Sequence, residues 1–224
     1  MRGAGSLWII AFLSIALQGC VGGTGGILGG GDEIEVPEWE TGDWWLFTFS
    51  TPDFFDDSAK LVVATVDQEE GGTAYMLGIS SEEEARRHAV LNHNPFLGRI
   101  SHSNLGVFEN GVEQAVLSFP LSEKTWSFTL FEKDWTASAN INGEKAYVKA
   151  TSADGGSLTF AYDDDIKFIT SFVRVDSDGA ELLRISLAQS GSDHQGEVHF
   201  IRGRDLLDRA VSYTHLTLPT RSYV

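Results

Sequence analysis

Four glycine turns constrain what this chain can become. Asn110-Gly111, Asn142-Gly143, Asp154-Gly155 and Asp178-Gly179 each stand between two apolar-patterned runs. A tight hairpin that matches the twist of its strands needs φ > 0 at its centre, and Asn-Gly or Asp-Gly supplies it. Glu69 to Gly72 reads as a slightly longer turn of the same sort. Hairpins join antiparallel neighbours, whereas parallel strands need long crossovers. Most of the sheet is therefore expected to be antiparallel, with its strands in sequence order.

The runs between the turns predict strands at Trp44–Ser50, Lys60–Asp67, Thr73–Ile79, Leu105–Glu109, Val112–Phe119, Thr125–Phe131, Thr136–Ile141, Lys145–Thr151, Ser157–Tyr162, Lys167–Val175, Glu181–Ala188 and Glu197–Arg202. Trp126, Phe128 and Leu130 share one face, with Ser127 and Thr129 on the other. Leu183, Ile185 and Leu187 alternate in the same way with Arg184 and Ser186. Period-two alternation marks a sheet with one buried face. The run from Trp44 to Phe49 is apolar on both faces, so it is expected to be covered on both sides or to line a cavity. One segment breaks the pattern. Ser81 and Glu84 have capping-box spacing, acids fill the first turn, and Pro95 is a stop, which predicts a helix from about Glu82 to Asn92. Ala85, Ala89, and His88 or Leu91 would meet the sheet.

The fold class is mainly β, an antiparallel meander of about 11–12 strands with one helix near residues 82–92. That many strands exceed a flat sheet, so a half-barrel with the helix in or over its mouth, a closed barrel, or a two-layer sandwich is expected.

The ends of the chain read differently. Met1-Arg2 is a short positive region, and Leu7 to Leu17 is an uncharged run of 11 residues. A spanning helix needs about 20 apolar residues, so this run fits the core of an export signal instead. Leu17-Gln18-Gly19-Cys20 follows and holds the only cysteine. It resembles the lipobox of bacterial and archaeal lipoproteins. The resemblance implies cleavage between Gly19 and Cys20 and lipidation of the Cys20 thiol. A lone cysteine has no disulfide partner within the chain, and lipidation would remove the liability of a spare thiol. One acyl chain holds a membrane only marginally, and the diacyl modification of that family would meet the need for more than one. Val21 to Gly31 is glycine-rich and reads as a flexible tether. Val211 to Thr220 (VSYTHLTLPT) resembles a translated sequencing adapter, which implies that the native chain is cut near Arg209 or Ala210. The expected organisation is a signal peptide at 1–19, a lipidated cysteine and tether at 20–36, one β-rich domain at 37–209, and a non-native tail at 210–224.

The chain holds 16 Lys+Arg against 32 Asp+Glu, a formal charge of −16. Such a charge repels the phosphate backbone, so no nucleic-acid partner is expected. It also disfavours electrostatic attachment to anionic lipid, which leaves acyl chains as the membrane contact. The half-barrel picture resembles envelope lipoproteins of the LolA/LolB type, which implies an enclosed apolar groove. Phe119 to Phe128 (FPLSEKTWSF) resembles a Pro-Leu…Gly-x-x-Trp-x-Tyr/Phe segment of β-rich envelope lipoproteins, with Lys124 near where glycine is usual.

The chemistry-bearing residues are sparse. His88 and His93 bracket the predicted helix end and His102 follows. Their i, i+5 spacing does not place two metal ligands on one helix face, so no metal and no cofactor is expected. Arg86, Arg87, His88 and His93 form the densest polar cluster of an acidic domain and are candidates for a partner or anion site. Asp53, Asp56 and Asp57 form one acidic loop and Asp163-Asp164-Asp165 another, and both read as turn formers rather than spaced calcium ligands. No Gly-x-Ser-x-Gly, His-Glu-x-x-His or nucleotide loop is present. Trp39, Trp44, Trp45, Trp126 and Trp135 are core at strand spacing or the lining of a groove, with Trp45, Phe47 and Trp126 as the candidate lining. The expected function is a membrane-anchored, non-enzymatic envelope module that binds a partner protein or an apolar ligand. The alternative is a hydrolase or metal-dependent envelope enzyme built on the region of His88, His93 and His102.

Overall fold

The computed structural model describes residues 33–53, 57–69, 72–85, 94–109, 111–200 and 216–217. Gly31–Val224 is one compact unit. Its strands are β1 (Trp44–Ser50), β2 (Asp57–Glu69), β3 (Gly72–Ile79), β4 (Gly98–Ser101), β5 (Val107–Glu109), β6 (Val112–Gln114), β7 (Thr125–Leu130), β8 (Lys133–Asn142), β9 (Lys145–Ser152), β10 (Ser157–Asp163), β11 (Phe168–Val175), β12 (Glu181–Gly191), β13 (Glu197–Val198) and β14 (Leu216–Thr217). The first twelve form a single antiparallel sheet in the order β6-β5-β4-β3-β2-β1-β12-β11-β10-β9-β8-β7. β1 pairs with β12, so the two halves of the meander join and the sheet nearly closes into a barrel. A sandwich is thereby set aside.

The four glycines behave as their dipeptides predict. Gly111, Gly143, Gly155 and Gly179 all have positive φ. A fifth tight turn has no glycine. Phe131 (φ 54°) and Glu132 (φ 61°) sit between the paired residues Leu130 and Lys133. Left-handed backbone costs an L-residue about 1–2 kcal/mol. Glycine would relieve that cost while losing about 0.5–1 kcal/mol of chain entropy. Glu132→Gly is therefore expected to raise stability by about 0.5–1 kcal/mol. A higher urea midpoint at unchanged slope would register it.

Burial follows the alternation. β9 alternates exposed and buried, with Ala146, Val148 and Ala150 inside. In β1 the inward residues are Trp45, Phe47 and Phe49, while Trp44 and Leu46 are half-covered on the outer face. Both faces of β2 are buried at Leu61–Ala64, because residues 197–200 cross over the outside there.

Four expectations are corrected. Leu105 is not in a strand: it has φ 50° and only Val107–Glu109 forms β5. The strand predicted at Val112–Phe119 ends at Gln114. Val116 and Leu117 are adjacent and both fully buried, which a strand with one buried face cannot provide, and this stretch plugs the barrel end. In the strand expected at Glu197–Arg202 only Glu197–Val198 forms a strand, His199 makes an isolated bridge to Ile79, and residues 201–202 lie outside the described set. β4 was not foreseen, since GRIS is short and carries no hairpin dipeptide. The helix begins as predicted. Residues 82–85 are its first turn, the Glu84 amide donates to Ser81 Oγ at 3.3 Å, and Ala85 packs into the core. Residues 86–92 of that prediction lie outside the described residues, as do the signal, Cys20 and the tether up to residue 32; residues 33–36, also assigned to the tether, are described, and Ile34 is buried in the core. Leu216–Thr217, within the stretch read as a tail, pairs with β13.

The antiparallel order sorts every connection to one of two ends. The segment before β1, the β6–β7, β8–β9 and β10–β11 connections and the exit from β12 share one end. The β1–β2, β3–β4, β7–β8, β9–β10 and β11–β12 connections share the other. The chain thus enters the barrel at the end opposite the helical connection.

Candidate functional site

The entry end holds the most developed side-chain arrangement. Residues 33–43 cross it, fixed by two main-chain bonds between Ile34 and Leu121 at 2.9 and 2.7 Å. Trp39 lies beneath, with ring centroids 4.9 Å from each of Trp45, Tyr75 and Phe168. Phe96, from the helical connection, meets Phe168 at 5.4 Å and Phe172 at 6.0 Å. Tilted and edge-to-face rings at such distances add to burial energy.

Two indoles from this cluster clamp the acidic turn between β10 and β11. Trp45 Nε1 donates to the Ile166 carbonyl at 3.0 Å and Trp39 Nε1 to the Lys167 carbonyl at 2.8 Å. Lys167 has φ 61° and its ammonium donates to the Glu38 carbonyl at 3.2 Å. The aspartates of the turn are engaged locally. Asp163 is buried and pairs with Lys145 at 2.9 Å, which raises the lysine pKa through that hydrogen bond. The Tyr162 hydroxyl donates to Asp164 at 3.2 Å, and the Asp165 amide donates to Asp163 at 3.1 Å. Burial first, and Asp164 second, push the Tyr162 phenol far above its ordinary value, so it stays protonated. Burial also raises Tyr75, whose hydroxyl accepts from the Trp39 amide at 3.0 Å.

Above the clamp lies an open notch of about 200 Å³, lined by Asp43, Trp45, Asp165, Lys167, Ser190 and Ser192 among others. It can hydrogen-bond a small polar group at its rim.

The tryptophans share one feature. Besides Trp39 and Trp45, Trp44 donates to Ser192 O at 3.3 Å, Trp126 to Ala115 O at 2.9 Å and Trp135 to Leu130 O at 2.8 Å. All five described indoles thus bond a main-chain carbonyl in a turn or at the end of a strand. Their rings fill the barrel and its seams while their polar edges tie the connections down. Trp45 and Phe47, read as core or as the candidate lining of a groove, are buried among other rings, and Trp126 is half-buried on β7. Trp45 and Phe47 come together with Phe168, while Trp126 sits on a different strand edge.

Arg86, Arg87, His88 and His93 lie outside the described residues, as does Asp56. His102 lies against Tyr75, with ring centroids 4.8 Å apart and the planes tilted by 32°. Among the described residues no group of three His, Cys, Asp or Glu side chains converges as metal ligands, and no helix is long and apolar enough to cross a membrane. The clamp was hidden from the sequence because its acceptors are main-chain carbonyls, which carry no residue identity. No protein-family model matches the chain, and a comparison with curated proteins gives no match.

Proposed function

We propose that this protein is a lipid-anchored module of the cell envelope whose barrel binds a partner protein and carries out no catalysis of its own. The barrel would stand outside the cytoplasm, held by acyl chains on Cys20. The observation that carries the binding half is the placement of the aromatic side chains. A carrier of apolar ligands needs apolar lining that is free, whereas Trp39, Trp45, Phe47, Tyr75, Phe168 and Phe172 are packed on one another and nearly inaccessible. Recognition then falls to the outside of the barrel. The chain enters at one end, so a tether there would leave the opposite end, where β3 ends and β4 begins, away from the membrane, and Arg86, Arg87 and His88 fall between those strands in sequence. Basic side chains in an acidic domain suit an acidic surface on the partner.

The anchoring half is tested by Cys20→Ser. In a host that processes lipoproteins, the parent chain is expected in the membrane fraction with a diacylglyceryl thioether on an N-terminal cysteine. The variant is expected to leave that fraction almost completely, because one position supplies all the acyl chains. A variant that stays with the membrane, or a parent thiol found free by mass spectrometry, would remove the reading.

A further inference from the structure

Residues 192–199 leave β12 and run across the outer face of β1, β2 and β3. Trp44 Nε1 donates to Ser192 O at 3.3 Å, and the His194 amide donates to Gly42 O at 3.0 Å. At the far end His199 and Ile79 exchange two main-chain bonds, each 2.8 Å. Val198 is fully buried against Val62 and Ala64, with Trp44 and Phe200 beside them. The floor is cut for this crossing. A Cβ on Gly78 would lie 2.5 Å from Val198 Cγ1 and 2.9 Å from His199 O. The segment turns at Gly196, whose φ of 139° favours glycine.

One group in this seam is out of place. His194 Nε2 is sealed from solvent and has no hydrogen-bond partner. Lys60, from β2, faces the same corner with its ammonium 4.2 Å above the Trp44 ring. From β1 and its lead-in the contacts are Trp44 and Gly42, with Asp43 between them turned to the Glu40 amide, and Asp193 precedes His194 in the strap itself. Within the crossing segment, the Glu197 main chain favours the protonated ring, but less than burial and Lys60 oppose it, and the Glu197 carboxylate lies 3.9 Å from His199. A neutral imidazole leaves at most an unpaired acceptor here. A protonated one would put a second positive charge beside Lys60, with Nε2 shut off from water.

We infer that residues 192–199 are a pH-sensitive strap, closed over β1–β3 while His194 is neutral and released when His194 takes up a proton. Burial, then the charge of Lys60, hold the His194 pKa below the ordinary 6.5. The sign follows from linkage. A histidine depressed by folding binds its proton better in the released state, so closure is complete above the ordinary value and is lost as pH falls from there through the lower value His194 has in the closed strap. Release uncovers a strip formed by Trp44, Val62 and Ala64 and frees the Ile79 main-chain edge, a surface that a second strand can pair with.

Hydrogen exchange of the full chain, read by mass spectrometry and corrected for intrinsic rates, tests this between about pH 7.5 and about pH 5, where an unperturbed histidine changes charge. Protection at residues 192–199 and at Ile79 is expected to fall about tenfold for each pKa unit of depression. His194→Gln should exchange alike at both pH values, whereas His199→Gln should keep the step. Strap protection that ignores pH in the parent chain, or a step that survives in His194→Gln, would overturn the inference. If glutamine alone loosens the strap at both pH values, NMR titration of the parent decides. The His194 midpoint must lie below 6.5 and coincide with the change in exchange, and a midpoint at or above that value also overturns it.

Discussion

Replacing Trp39 by alanine is expected to destabilise the barrel by about 3–5 kcal/mol, the range for deleting a buried tryptophan. For a domain of this size that lowers the melting temperature by roughly 6–20 °C. The reason lies in what the side chain joins. Its ring touches Trp45, Tyr75 and Phe168, which stand on three different strands, and only 3% of the residue is exposed. Its indole N–H also holds the Lys167 carbonyl in a left-handed turn. Trp39→Phe separates the two contributions. It keeps much of the ring volume and removes a part-buried hydrogen bond, which costs about 0.5–1.5 kcal/mol. Thermal denaturation of the parent and both variants is the measurement. A Trp39→Ala protein that melts with the parent would show that the entry segment does not close the barrel end.

The same residue marks where the sequence was legible. Trp39 could be read as apolar and as belonging with Trp44 and Trp45, because ring size and spacing are local properties. The hairpins were legible for the same reason: Gly111, Gly143, Gly155 and Gly179 need φ > 0 at the residue itself. Phe131-Glu132 makes a turn with the same backbone and was placed partly in a strand, because side chains that tolerate the strain leave no composition signal. The stretch from Val116 to Phe119 looked like a strand since apolar residues follow one another, but a plug and a strand differ only in whether neighbours face the same way. That so many strands must curl was legible from their number, but which strands meet was not. The pairing of β1 with β12 joins residues some 140 positions apart, Trp44 with Gly191 and Ser50 with Arg184, and nothing in either strand names the other. The strap is invisible for a similar reason. Gly78 carries the only hint of it, and a glycine inside a strand has too many causes to point to Val198.

The last joint of the barrel is made without a ladder, and Trp126→Ala is expected to open it. β6 and β7 are the two ends of the sheet and no strand pairing links them. The gap is bridged by side chains that reach main chain: Trp126 Nε1 to Ala115 O at 2.9 Å, and the Thr129 amide to Gln114 Oε1 at 2.7 Å. Unpaired edges invite pairing with another chain, and these two bonds, with the half-buried indole packed on the core, keep the edges facing one another. Alanine removes the larger bridge and most of the covering ring. The expected loss is about 2–3 kcal/mol, less than for Trp39 because the ring is only partly buried. The stability change is only part of the signature. Amides of Thr125–Leu130 should exchange faster while those of the central strands β10–β12 keep their protection, since a seam opens locally before the sheet unfolds. The variant should also form concentration-dependent dimers on sedimentation, edge against edge. If Trp126→Ala loses stability uniformly and stays monomeric, the seam is held by the buried plug at Val116 and Leu117, and the barrel is closed from its floor and not along its side.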